Sequence, residues 1–80
     1  MFRFLLHHQH GPQECGVAFA AFKGQQSALR HQETLASCAY GGHAIWWVVE
    51  APSEEDALAQ LPFYLAERAT ATRVSPVEIP

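Results

Sequence analysis

Basic residues are scarce in this chain. Lys and Arg number 5 against 8 Asp and Glu, a formal charge of −3 at pH 7. A nucleic-acid module would carry a basic face, so no nucleic-acid partner is expected. No apolar run approaches the ~20 residues that span a bilayer, so no membrane helix is expected. The opening Met1-Phe2-Arg3-Phe4-Leu5-Leu6 lacks the apolar length and the small-residue cleavage site of a signal peptide. Two cysteines, Cys15 and Cys38, are too few and too far apart for a disulfide framework. These absences lead us to expect a soluble, cytoplasmic protein. G-x-S-x-G, the P-loop and the Rossmann glycine pattern are also missing, and Ser27 and Ser37 have no nucleophile context. The residues name no reaction and do not decide whether the chain is an enzyme.

What is present is globular: 49% of the 80 residues are hydrophobic and 16% charged. That length makes one domain, residues 1–80. A monomer of this size buries only roughly 60% of the surface its unfolded chain exposes. A single small core then offsets the ordering entropy narrowly, which favours a partner surface, most simply a homodimer.

Alternation predicts a first strand over Phe2 to His10, with Phe2, Phe4, Leu6, His8 and His10 on one face and Arg3, Leu5 and His7 on the other. Gly11-Pro12 makes a turn, with Pro12 suited to the first helical position. Cys15, Phe19 and Phe22 then recur at helical spacing, and Gly24 suits a left-handed stop. Thr34 to Tyr40 reads as a second strand, and Gly41-Gly42 as a two-residue hairpin turn. His43 to Glu50 is the strongest strand and is apolar on both faces. Ser53-Glu54-Glu55-Asp56 opens a second helix, with Ser53 as N-cap and Ala57, Leu58 and Leu61 as its buried stripe. Pro62 breaks this helix and restarts a short helical stretch toward Arg68. Thr70 to Ile79 reads as a last strand, interrupted by Pro76.

The order βαββαβ predicts an α+β, ferredoxin-like domain: a four-stranded antiparallel sheet in the order 4-1-3-2, with both helices on one face. The doubly apolar third strand needs a cover for the other face, and a second copy of the same sheet supplies it. In element order, length and the closing Val74-Ser75-Pro76-Val77 strand, the chain resembles the dimeric α+β barrel superfamily. That group includes muconolactone isomerase-like and antibiotic-biosynthesis-monooxygenase-like families. The resemblance implies a homodimer built sheet on sheet. It carries no catalytic motif onto this chain.

The candidate site comes from the histidines and cysteines. His8 and His10 share one face of the first strand, a few ångströms apart, as a shared metal requires. Cys15 follows in the first turn of the first helix, and its thiolate is the ligating form. Strands 1 and 2 run parallel in the expected sheet. The end of strand 1 and the strand 2–3 hairpin then share an edge, which brings His43 toward His8 and His10. Cys38 is a diagonal neighbour of His43 and stands as an additional ligand. The expected site is therefore His8, His10, Cys15 and His43, with Cys38 in reserve, for a divalent transition metal: zinc, copper, nickel or iron. The plainer reading makes Cys15 a buried apolar residue on the Phe19, Phe22 stripe and the histidines solvated strand-end residues.

Trp46 and Trp47 point to opposite faces. With Tyr40, they are candidates for a cavity wall or the dimer interface. His7 reads as reaching solvent or the dimer seam, and His31 as a surface or capping residue. Three functions follow: a small metal-binding protein, a cofactor-free isomerase or monooxygenase using histidine acid/base chemistry on a small hydrophobic ligand, or a non-catalytic dimeric ligand-binding module.

Overall fold

Apolar alternation on two long strands builds the sheet. In the computed structural model, which describes residues 1–80, strand β1 (Phe2–Gln9) lies antiparallel to β3 (Ala44–Ala51). The register sets Phe4 against Val49, Leu6 against Trp47 and His8 against Ile45, so one continuous apolar face forms. Strand β4 (Ala69–Val74) pairs with the free side of β1, and β2 (Leu35–Ala36) with the free side of β3. The protein is thus α+β, with a four-stranded, open antiparallel sheet in the order β2-β3-β1-β4. Three short helices accompany it: α1 (Cys15–Ala20), α2 (Glu54–Leu58) and α3 (Phe63–Ala66). No helix is long and apolar enough to cross a membrane.

The core lies between one sheet face and the helical layer. Phe4, Leu6, Ile45, Trp47, Val49 and Ala51 meet Ala18, Ala57, Leu61 and Leu65 there. Trp47 packs on Phe22, with ring centroids 6.1 Å apart. Trp46 takes the opposite face and stacks on His7, its partner across β1 and β3, at 5.3 Å. The two tryptophans therefore divide: Trp47 is core, and Trp46 lies on the uncovered face with Leu5 and Val48.

Several boundaries differ from the sequence reading. Helix α1 starts at Cys15 and ends at Ala20; a turn carries the chain on to Gly24, whose φ of +80° gives the left-handed stop. Leu61 is buried but lies beyond α2, in the turn before Pro62. Strand β4 ends at Val74, short of Pro76, which has no N–H to give a ladder. The largest correction concerns β2. Only Leu35 and Ala36 pair with β3, and Cys38–Tyr40 form a single 3-10 turn in place of a strand and two-residue hairpin.

Ser37 causes that departure. Its carbonyl accepts the amides of Tyr40 and Gly42, each at 3.0 Å, and its Oγ accepts the amide of Ala44 at 3.1 Å. Its own amide donates to Ala44 O at 2.9 Å. These bonds replace the ladder rungs that a hairpin at Gly41-Gly42 would make. Gly41 closes the turn at φ +83°, where a side chain is disfavoured. A Cβ on Gly42 would sit 2.7 Å from Ser37 Cβ, so the loop closes only with glycine there.

The start of α2 follows the sequence closely. Ser53 Oγ accepts the amide of Asp56 at 3.2 Å, and Glu54, Glu55 and Asp56 fill the first turn. Replacing Ser53 by Ala leaves that amide without its cap, at a cost of about 1 kcal/mol. We expect the melting temperature of S53A to fall by roughly 4–8 °C in calorimetry; an unchanged value would contradict the cap.

Candidate metal centre

The end of β1 delivers the first candidate ligand. His10 follows the last β1 residue, and its amide donates to His43 O at 3.0 Å. Gln9 Nε2 donates to Gly42 O at 2.7 Å. These two bonds tie the β2–β3 loop to the strand end and bring His43 beside His10, with ring centroids 5.9 Å apart. His43 holds φ +52°, an uncommon left-handed conformation for a residue with a side chain, though histidine is enriched among the exceptions. Strain of this kind concentrates at functional sites.

Cys15 arrives from a second loop. The amide of Glu14 donates to Gly11 O at 3.0 Å, which turns the chain back over the strand end. The Glu14 carboxylate accepts the Tyr64 hydroxyl at 2.6 Å and pairs with Arg68. The hydrogen bond from Tyr64, then that from Arg68, hold the Glu14 carboxyl below its usual range. Arg68 also lies over the Tyr64 ring, 4.9 Å from its centroid. This group anchors the start of α1 to α3.

Four side chains converge as a result. His10 Nε2 lies 3.3 Å from Cys15 Sγ and 3.2 Å from Cys38 Sγ, and Cys15 Sγ lies 3.2 Å from His43 Nδ1. The ligating atoms of His10, Cys15, Cys38 and His43 all lie within 4.8 Å of one another. Bonds of about 2.0–2.3 Å to a tetrahedral centre would set neighbouring ligand atoms roughly 3.3–3.8 Å apart. The cluster is already near that size. His10 is buried and the other three are half-buried. Burial, and then the charge of His43, depress the pKa of His10; burial, and then the Cys15 thiol, raise that of Cys38.

Of the residues expected from sequence, the structure brings His10, Cys15 and His43 together, and it adds Cys38 as a full member. His8 lies outside the group. It shares the face of His10, but two strand positions advance the chain by about 6.6 Å. It sits fully buried against the core, with Nδ1 3.1 Å from Leu65 O and its ring centroid 5.2 Å from that of His10. Cys38 comes in because the 3-10 turn lifts it off the path of β2. One sequence signal fits this outcome: His10 and Cys15 are five apart, and so are Cys38 and His43. Each loop thus supplies one thiol and one imidazole across a four-residue spacer.

The other candidates fall elsewhere. A cavity of about 270 Å³ is lined by Phe19, Phe22, Leu29, Arg30, His31 and Trp47 among others, and by none of the four clustered residues. Trp46 lines a second groove with Leu5, Leu35 and Val48. Tyr40 is 91% exposed, so it walls no cavity within the chain. The chain matches no protein-family model, no curated protein and no solved structure. The functional reading therefore stands on geometry.

Burial lowers the pKa of both His8 and His10 below the ordinary 6.5. The folded chain therefore binds fewer protons than the unfolded chain once pH falls below about 6.5. The stability that these groups contribute is complete above that value and is lost as pH falls through their depressed folded pKa values. Glu14 titrates in a separate window, below its ordinary 4.5. For the metal-free protein in chelator, we expect thermal stability to be level between about pH 7 and 8, below the thiol range, and to decline from pH ~6.5 downward. A melting temperature that stays flat to pH 5 would contradict the burial of these two imidazoles as neutral groups.

Proposed function

We propose that this chain is a small metal-binding protein whose His10, Cys15, Cys38 and His43 hold one divalent transition metal in a closed tetrahedral site. One observation carries this reading: four ligating atoms, from two separate loops, lie within 4.8 Å of one another. Among zinc, copper, nickel and iron, zinc suits the donor set best, since two thiolates and two imidazoles in a tetrahedron are its usual structural ligands. Four protein ligands leave no open position for substrate. We therefore assign a structural or carrier role in preference to metal-assisted catalysis.

The fold gives the metal something to do. Only 14 of 80 residues are buried and the helices run to six residues at most, so the core is small for its chain length. Domains of this size commonly rely on a staple. A metal here would clamp the Gly11–Cys15 turn and the Ser37–Ala44 loop to the end of β1. Because three of the four ligands are half-buried, the ion can exchange with solvent, which suits a carrier or sensor. Both cysteines are free thiols, in keeping with a reducing compartment such as the cytoplasm.

We further propose that the strand order reflects a ferredoxin-like domain that dimerises through its uncovered sheet face. A compact 8.9 kDa monomer exposes about 4,800 Å², whereas this chain exposes 5634 Å². Part of the excess lies in the exposed last six residues, and part in apolar side chains of the sheet. The uncovered face offers Leu5, Trp46, Val48 and Leu35, the last two 62% and 70% exposed. Arg3 sits opposite Glu50 at its margin, so the face carries no net charge against a second copy.

Two measurements test these readings. Purified untagged protein should bind one zinc per chain. At zinc 100-fold above Kd the native state gains about 2.7 kcal/mol, or roughly 10–20 °C in melting temperature. Cys15→Ala, Cys38→Ala, His10→Ala and His43→Ala should each abolish most of that rise. A stoichiometry near zero, or a rise that survives Cys38→Ala, would overturn the site. Sedimentation should give a dimer at micromolar concentration that Val48→Glu dissociates without unfolding the chain; a folded wild-type monomer would overturn the interface.

A further inference from the structure

Two buried side-chain nitrogens find no hydrogen-bond partner in the protein: His8 Nε2 and His10 Nδ1. They belong to neighbouring rings. His8 lies in β1 and His10 just beyond its end, with ring centroids 5.2 Å apart and planes inclined at 36°. His8 is fully buried and His10 is 5% exposed, so neither nitrogen can turn to bulk water for a partner. Unpaired buried polar atoms are rare enough in folded proteins to need a reason.

The protonation of each ring follows from what its other nitrogen does. His8 Nδ1 lies 3.1 Å from Leu65 O, and a carbonyl only accepts. Nδ1 therefore carries the proton, and Nε2 is left as a bare acceptor. His10 Nε2 sits between the sulfurs of Cys15 and Cys38, at 3.3 and 3.2 Å. As a metal ligand that nitrogen is deprotonated, and a neutral ring then holds its proton on Nδ1. The two orphaned atoms thus become one donor and one acceptor. The apolar surroundings offer no competitor: in register, His8 faces Ile45 on one side and Ala69 on the other.

We propose that His8 is the outer positioning residue of the metal centre: once a metal holds His10 Nε2, the His10 Nδ1–H turns to donate to His8 Nε2, a bond the two rings do not make as they stand, while His8 Nδ1–H donates to Leu65 O. This rests on the metal-binding reading above and extends it. The relay fixes the tautomer and the ring angle of His10, the most buried of the four ligands. It also couples the metal to the backbone of α3, an element that contributes no ligand. Metal-bound histidines usually anchor their second nitrogen on a carboxylate, a carbonyl or water. Here a second histidine takes that place, itself anchored on a carbonyl.

The test uses zinc-loaded, 15N-labelled wild-type protein. Long-range 15N–1H correlation should give His8 as the Nδ1–H tautomer and His10 as zinc-bound at Nε2, with a scalar coupling between His10 Nδ1 and His8 Nε2 across the hydrogen bond. Alongside it, His8→Phe should weaken zinc binding by about 10–100-fold, and His8→Gln, which keeps an acceptor and a donor, should recover part of the loss. Zinc bound with His10 joined through Nδ1, or with His8 protonated at Nε2, would overturn the relay and leave the metal site standing. Equal zinc affinity in His8→Phe would do the same. If wild-type protein binds no zinc, the metal reading and the relay fall together. Should the Phe variant fail to fold, the wild-type spectrum still decides.

Discussion

His10 sets the problem that the rest of the site answers. It emerges from β1 on the covered side of the sheet and is almost wholly buried, with two ring nitrogens to satisfy where the backbone supplies partners for neither. A buried polar atom left unpaired costs about 1–3 kcal/mol. One nitrogen meets two sulfurs, and the other faces a ring whose own free nitrogen is equally unpaired. A metal on the first nitrogen would settle the charge and the proton count of the whole group. Without one, the cluster keeps two thiols, a lowered His10 pKa and a raised Cys38 pKa, all of which favour neutral forms in a part-buried place.

The surrounding fold is organised to hold those groups close. The Ser37 bonds bend the chain out of β2 and into the turn that carries Cys38. Gln9 and His10 then fasten the far side of the same loop to the strand end. Glu14, Tyr64 and Arg68 pin the other loop to α3. Their ion pair is exposed to solvent, so its contribution to stability is small. Its effect is positional: it sets where Cys15 sits. Left-handed His43 and close-packed Gly42 mark the points where that loop is under constraint.

Much of this was legible in the sequence. Period-two alternation identified β1, and a run apolar on both faces identified β3. Ser53 followed by three acids identified the start of α2. The convergence of His10, Cys15 and His43 followed from the Gly11-Pro12 turn, which returns Cys15 to the strand end, and from the parallel direction of β1 and β2, which brings in His43. What could not be read was the fate of Thr34 to Tyr40. Residues in that stretch have strand propensity, and Gly41-Gly42 is a strong hairpin signal. The deciding interactions are the hydrogen bonds of one serine, which depend on where Ala44 and Gly42 end up in three dimensions. The exchange of His8 for Cys38 came from that same turn: pleat spacing separates His8 from the cluster, while the turn moves Cys38 into it. The short α1 has a similar origin, since the Cys15, Phe19, Phe22 stripe continues through a turn that keeps helical spacing without a helix.

The proposed site is closed, with two sulfurs and two nitrogens. X-ray absorption at the zinc edge of protein loaded with one equivalent measures it directly. We expect a four-coordinate first shell, with two sulfurs at about 2.3 Å and two nitrogens at about 2.0–2.1 Å, and outer-shell scattering from two imidazole rings. A shell dominated by light atoms, or one with fewer than two sulfurs, would contradict it.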